Sequence, residues 1–336
     1  MVTRHGVPLA GFTTLRIGGP AGLLVEATSE AELVEAVQAH PDALVLGGGS
    51  NVVLPDDGVP EVVLVRSRGV THDGPDVVVQ AGEDWDGLVA RMLSEGRVGL
   101  EAMSGIPGTV GAAPVQNIGA YGSELASSVV SVRVLDRRTG GVEELAAAAC
   151  GFRYRHSGFK DDPTRWVVLA VRLRLGRGTA SAPVRYAELA RALGVGLGDP
   201  APAEQVREAV LALRRGKGMV LDPQDPDSVS AGSFFTNPIV EAAPEGAPSW
   251  PDASGGVKVS AAWLIEQAGF TKGWGTGRVG LSSKHTLALV NRGGATRAEL
   301  LGVARSVRDG VRDRFGITLV PEPVVVGPHR EDPLSQ

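Results

Sequence analysis

The residues best suited to chemistry lie in a few glycine- or proline-marked segments. GGGSN (47–51) directly follows the apolar run ALVLG (43–47). Successive glycines let backbone N–H groups converge on an anion, and Ser50 and Asn51 add side-chain donors, which suits a phosphate cradle. It is not a Walker loop, because no GK[ST] follows. Nor is it a dinucleotide fingerprint, because Val52 stands where the last glycine would fall. SGIPGTVGAAPVQNIGAYG (104–122) repeats the theme, with Gly105, Gly108 and Gly111 spaced by three and Pro107 and Pro114 as stiffeners. A loop this long between regular elements is usually functional or disordered, and its apolar, glycine-dense texture argues against disorder. A tight turn is the plainer reading of either loop alone. Two together suggest a long cofactor with a pyrophosphate and a planar ring.

Three further segments carry polar residues in unusual settings. FRYRHSGFK (152–160) places Tyr154, Arg155, His156 and Ser157 in a row. Arg155 suits a carboxylate or phosphate, or a surface ion pair. LVPEPVVVG (319–327) locks Glu322 between two prolines, as at the end of an edge strand. AGSFFTNP (231–238) sets Ser233 beside Gly232, where close backbone approach is easiest. Its Phe234–Phe235 doublet departs from strand alternation and implies burial on two sides. GTGRVG (275–280) matches GxGxxG as a string, but it follows a helix and a turn, so a surface loop touching substrate is the expectation.

Composition narrows the class. The chain has 336 residues, 43% of them hydrophobic, and a net charge of -5. That length allows two or three domains with a large core, and no basic excess points to nucleic acid. No apolar run reaches the ~18 residues of a membrane span. MVTRHGVPLAGF (1–12) lacks a secretory h-region, so a cytoplasmic bacterial protein without membrane insertion is expected. Cys150 is the single cysteine, which excludes an intrachain disulfide and a thiolate zinc site. In AAAACGF it reads as a small core hydrophobe. The histidines (5, 40, 72, 156, 285, 329) show no ligand-like spacing, so no metal is expected.

The elements that must position these residues read as follows. LLVEA (23–27), ALVLG (43–47) and EVVLV (61–65) are strands around a helix at 29–40, capped by Ser29 and Glu32 at capping-box spacing. They form a βαβ unit over 1–60. VVVQAG (77–82) is a strand, and Asp84 caps a helix to residue 96. VVSVRVLD (129–136) and WVVLAVRLRL (166–175) are long strands, the second apolar enough to lie centrally in a sheet. Helices follow at 185–193 and 203–217. The texture then changes, which places a domain boundary near 216. Beyond it come a helix at 260–270, a strand at 286–291, and a helix at 296–316 with a Thr296/Glu299 capping box and Gly316 at its stop.

Taken in order, LGGGSNVVL, IPGTVGAAPVQNIGAYG, YRHSGFK, AGSFFTNP and PEP resemble the MurB family of UDP-N-acetylenolpyruvoylglucosamine reductases. The likeness runs from TTLRIGGPAG (13–22) to PEP. The resemblance implies an α+β chain: a two-lobed FAD-binding domain of the vanillyl-alcohol-oxidase (PCMH) type (lobes 1–60 and 61–216) and a smaller C-terminal substrate-binding domain (217–336). It implies non-covalent FAD, NADPH as reductant, and UDP-N-acetylglucosamine enolpyruvate as small-molecule substrate, with no obligate protein partner.

By the same resemblance, Gly47, Gly48, Gly49, Ser50 and Asn51, together with Ile106, Pro107, Gly108, Gly111, Gly119 and Ala120, hold the cofactor. Gln116 and Arg214 match flavin contacts. Arg155, Ser233 and Glu322 match the catalytic trio, and Tyr154, Lys217 and Asn237 match substrate contacts. Tyr186, in VRYAELARAL, matches the tyrosine loop of one family class. The chain departs from its relatives at Val320 and Pro323, where many have LEPEV, and at His156, where many have aspartate. Another FAD-dependent oxidase or dehydrogenase of the same superfamily, or a non-catalytic nucleotide-sugar-binding flavoprotein, are the alternative readings.

Overall fold

A computed structural model describes residues 1–252, 255–327 and 334. The chain divides into two compact units: residues 1–7, 21–48 and 59–215 form the first, and 8–20, 49–58 and 216–336 the second. Two stretches of the expected first lobe, 8–20 and 49–58, therefore cluster with the C-terminal residues. None of the described helices is long and apolar enough to cross a membrane.

Besides two short two-stranded sheets, the first unit holds two main ones. In one, the strand order is Val2–Pro8, Pro20–Ala27, Val59–Val65, Leu44–Leu46. Val59–Val65 runs parallel to both Pro20–Ala27 and Leu44–Leu46 and separates them, so the expected βαβ pair is not adjacent. The helix Glu30–Ala39 starts where Ser29 Oγ accepts the Glu32 amide. The reciprocal half of the expected box is redirected: the Glu32 carboxylate takes the Thr28 amide and hydroxyl, each at 2.8 Å. The second sheet is antiparallel, in the order Val142–Ala146, Val129–Asp136, Trp166–Arg174, Asp76–Gln80, Val70–Asp73. Trp166–Arg174 is central, as its apolar run predicts, and Val142–Ala146 is an exposed edge with no apolar pattern to betray it.

Val25, Leu33, Val63, Leu135 and Leu169 make one core of this unit. Trp85, Met92, Val110, Leu125, Val132 and Val171 make another. Cys150 is buried in the second, and that burial pushes its thiol up to about 11. The helix Trp85–Ser94 begins where the Asp84 carboxylate accepts the Gly87 amide at 2.7 Å.

The second unit is built on the antiparallel set Ser230–Ser233, Ala288–Asn291, Val279–Leu281. A smaller set comprises Ile239–Val240, Val257–Val259 and Ser249–Pro251. GTGRVG is thus only partly the expected surface loop, since its last two residues open a buried strand. The helix Arg297–Phe315 has the full Thr296/Glu299 capping box and ends at Gly316 in the left-handed region. Its Leu300, Ala304, Val307 and Val311 share one core with Leu264, Ile265 and the Phe234–Phe235 pair.

Candidate active site

The sequence-predicted residues fall into two sets, one in each unit. In the first unit, Gly47 and Gly48 leave the end of Leu44–Leu46 and meet the long loop, Gly48 backbone to backbone and Gly47 against the Thr109 side chain. A Cβ on Gly48 would sit 2.6 Å from Gly108 Cα, and one on Gly47 would sit 2.5 Å from Thr109 Oγ1. At Gly48 the neighbour is backbone, so only glycine permits the approach. Arg66, half-buried and depressed by desolvation, donates to the Gly47 carbonyl at 3.4 Å.

The loop bearing Ile106, Pro107, Gly108 and Gly111 is fastened to the neighbouring strand end. Gly111 N–H donates to Ala81 O (2.8 Å), Val110 N–H to Glu83 O (2.9 Å), and Trp85 N–H to Gly108 O (3.1 Å). At its start, the Gly105 amide donates to Asp86 Oδ1 at 2.6 Å, and Asp86 is clamped by both Arg207 Nη atoms at 2.6 and 2.8 Å. Arg207 lies on the helix Ala203–Gly216, which also carries Arg214.

Arg214 is 9% exposed. Burial pushes its guanidinium down to about 10; Tyr121 and Asp86 pull it back up, while the charge of Arg155 pushes it further down. Electrostatics therefore links Arg214 with Arg155, Tyr121 and Asp86. Desolvation likewise pushes the Tyr121 phenol up to about 12. The Tyr121 ring meets Tyr186 edge-on at 5.4 Å and 87°, and Tyr186 is 41% exposed.

Arg155 occupies the third position of a turn in which Arg153 and His156 exchange backbone hydrogen bonds of 3.0 Å each. Its φ is 52°, where glycine is the usual occupant. Its Nη2 donates to the Gly119 carbonyl at 2.6 Å, and its guanidinium carbon lies 5.5 Å from the Tyr154 ring centre. His156 engages Asp161 at 2.6 Å, and Arg153 shares that carboxylate at 2.9 Å. Gln116 and Ala120 are half-buried in the same loop system.

In the second unit, Gly49 has φ 61°, and a Cβ there would fall 1.9 Å from the Phe12 carbonyl oxygen. Ser50 is half-buried, and its carbonyl faces Thr14 Oγ1 at 3.5 Å. Asn51 is tied to the proline-locked segment: its Nδ2 donates to Glu322 O at 3.3 Å, and its carbonyl accepts Val324 N–H at 2.9 Å. Val52–Val53 continues this as a parallel pair with Val324–Val325. Ser233 ends its strand opposite Ala288. The next residue, Phe234, accepts the Glu322 amide at 2.8 Å and donates to Leu287 O at 2.7 Å. Ser233 and Glu322 thus share one rigid frame.

Phe234 and Phe235 are each 1% exposed and pack edge-on at 5.2 Å, the two-sided burial their doublet implied. Gly232 plays another part than the expected close approach. Nothing lies within 4 Å of a Cβ there, and the glycine serves a φ of +69° at a strand bulge. Asn237 Oδ1 accepts the Ala261 amide at 2.9 Å, at the start of the helix Ala261–Gln267, so its carbonyl is committed to the fold. Lys217 follows the helix Ala203–Gly216 and is half-buried.

Sequence reading missed Asp86, Arg207, Asn117 and Tyr121. Only NIGAYG, which holds two of them, carried a signal.

Residues 223–326 match the family model described as the C-terminal domain of UDP-N-acetylenolpyruvoylglucosamine reductase, and residues 21–146 one described as an FAD binding domain. The chain is 53% identical to the UDP-N-acetylenolpyruvoylglucosamine reductase of Thermobifida fusca, over 96% of this chain and 98% of that one. With the Streptomyces coelicolor enzyme of the same name it shares 51%, over 96% and 90%. The crystal structure of the Thermus caldophilus reductase (MurB) superposes with a TM-score of 0.69 at 28% identity, covering 97% of this chain and 100% of that one.

Proposed function

The chain belongs to the UDP-N-acetylenolpyruvoylglucosamine reductase family, and from that membership we propose the reaction it runs and the residues that run it. It is an FAD-dependent oxidoreductase of peptidoglycan precursor synthesis. The finer reading is NADPH-dependent reduction of UDP-N-acetylglucosamine enolpyruvate to UDP-N-acetylmuramate.

The residues present fit FAD. Gly48 lies directly against the Gly108–Thr109 backbone, which brings main-chain amides of the two glycine loops together as a pyrophosphate would need, and the buried guanidinium of Arg214 suits an electron-rich ring. Gly47, Ile106, Pro107, Gly111, Gln116, Gly119 and Ala120 would line this cradle, with Gly49, Ser50 and Asn51 continuing its first loop. Bound FAD would supply the redox chemistry, the passage of hydride from NADPH to the enolpyruvyl methylene carbon.

The chain's own residues manage the charge and the proton. Hydride addition leaves an electron pair on the adjacent carbon, delocalised into the carboxylate. Arg155 would pair with that carboxylate in a site sheltered from water, where such stabilisation is strongest. Glu322 would hydrogen-bond the same group. Ser233 Oγ–H would deliver the proton to the carbanionic carbon, breaking O–H as C–H forms, and the resulting alkoxide would regain its proton from solvent. Tyr154, Tyr186, Lys217 and Asn237 would engage the sugar and diphosphate.

The observation that most supports these roles is the 2.8 Å bond from the Glu322 amide to the Phe234 carbonyl, which holds Glu322 one residue from Ser233. The test is anaerobic. Purified protein should carry FAD, NADPH should bleach it, and the enolpyruvate substrate should restore the oxidised spectrum. Ser233→Ala should keep the NADPH step and lose restoration; full turnover in that variant would exclude the proton-donor role.

A further inference from the structure

Arg155 sits in a conformation its residue type does not favour. At φ 52° it occupies the left-handed region, which strains a non-glycine residue. Something must hold it there. Three anchors tie its turn to alternate residues of the 104–122 loop. Ser157 Oγ donates to Val115 O at 2.5 Å, Asn117 Nδ2 donates to Arg153 O at 3.2 Å, and Arg155 Nη2 donates to Gly119 O at 2.6 Å.

Asn117 is the middle anchor and the most committed. It is 0% exposed. Its Nδ2 also donates to Glu124 Oε2 at 3.0 Å, and its Oδ1 accepts the Ala126 amide at 2.9 Å. One carboxamide therefore joins three segments: the loop, the 124–126 stretch and the Arg155 turn. Its own φ is 47°, which asparagine tolerates better than most residues.

We propose that Asn117 is a positioning residue that holds the Arg153–His156 turn, and through it fixes the Arg155 guanidinium for the reductive step. The inference rests on the catalytic role proposed for Arg155. Aspartate would keep the acceptor for Ala126 but lose both donated bonds and set a second carboxylate beside Glu124. Glycine would keep the left-handed backbone and remove the side chain.

The experiment measures Asn117→Gly, Arg155→Ala and the double variant in three ways: bound FAD and its dissociation constant, the rate of flavin reduction by NADPH, and the rate of reoxidation by the enolpyruvate substrate. The expected result for Asn117→Gly is FAD affinity and NADPH step within about twofold of wild type, with reoxidation about 100-fold slower, the order of loss from a small misplacement of a catalytic group. Steady state should show kcat and KM for NADPH falling together, with kcat/KM for NADPH unchanged. In the Arg155→Ala background, Asn117→Gly should add almost nothing, because the two act as one unit.

Wild-type reoxidation in Asn117→Gly, equal loss of both half-reactions, or full additivity with Arg155→Ala would each overturn the proposal. Should Asn117→Gly fail to retain FAD, Asn117→Asp is measured in its place. Slowed reoxidation with an intact NADPH step then supports the proposal, and wild-type reoxidation overturns it. Undiminished reoxidation in Arg155→Ala alone would instead overturn the role of Arg155, which separates the two failures.

Discussion

Replacing Asp86 by alanine should destabilise the first unit and weaken its hold on FAD at the same time. The carboxylate accepts two guanidinium bonds from Arg207, at 2.6 and 2.8 Å, and the Gly105 amide at 2.6 Å. The Asp86 and Arg207 side chains are 33% and 19% exposed. A fully exposed pair contributes about 0–1 kcal/mol, and removing one partner of a buried pair costs about 3–5 kcal/mol. Intermediate exposure places Asp86→Ala at about 2 kcal/mol. Asp86→Asn keeps an acceptor for Gly105 and should lose roughly half of that.

The pH dependence fixes the cause. Burial raises the Asp86 carboxyl, but the Arg207 hydrogen bonds, the Gly105 amide, and the charges of Arg207 and Arg214 outweigh it, so the group lies below its ordinary value. A depressed carboxyl contributes stability above its unfolded pKa of about 3.9 and loses it as pH falls through the folded value. The deficit of Asp86→Ala should therefore be full at pH 7 and shrink below about pH 4. Urea unfolding followed by circular dichroism at several pH values reads the stability, and flavin fluorescence reads the FAD dissociation constant. A variant within about 0.5 kcal/mol of wild type at pH 7, or a deficit that persists unchanged at pH 3, would refute the reasoning.

Gly48→Ala would drive a Cβ to 2.6 Å from Gly108 Cα, a backbone atom that cannot step aside alone. FAD affinity should fall at least about tenfold, and unchanged binding in a fluorescence titration would show that the two loops yield to a methyl group. Gly232→Ala meets open space but a φ of +69°, so the cost should be strain alone, about 1–2 kcal/mol in urea unfolding; a loss near that of a core truncation would contradict it. Cys150, with its thiol pushed up to about 11, should react with a disulfide reagent at pH 8 roughly 100-fold more slowly in the native protein than in urea. Equal rates would mean the thiol is not shielded.

Local codes were the readable part of this chain. Asp84, Ser260 and Thr296 each precede a helix and each side chain accepts an amide in its first turn. That chemistry spans three residues and is visible in sequence. Val142–Ala146 was not visible, because an edge strand exposed over most of its length needs no apolar alternation. Asp86 and Arg207 are 121 residues apart, and Asn117 and Arg153 are 36 apart. Nothing in either partner's neighbourhood encodes such pairings; the sheets and loops between them bring the partners together. GGGSN read as one cradle, yet Gly49 is required by Phe12 and Asn51 is bound to Glu322.

The segment around Val320 and Pro323 has a physical logic in its hydrogen-bond pattern. Val320 is 59% exposed, and its carbonyl accepts the Thr236 amide at 3.1 Å. That contact is made by the main chain, so it does not depend on the side chain at 320. Pro321 and Pro323 have no N–H to give, which leaves Glu322 the sole backbone donor across 321–323. Its amide is the one the Phe234 carbonyl receives. A slip of one residue either way would face that buried carbonyl with a proline nitrogen and leave it unsatisfied. The two prolines therefore narrow the register that sets Glu322 beside Ser233, and Pro323 strengthens the frame that holds both groups.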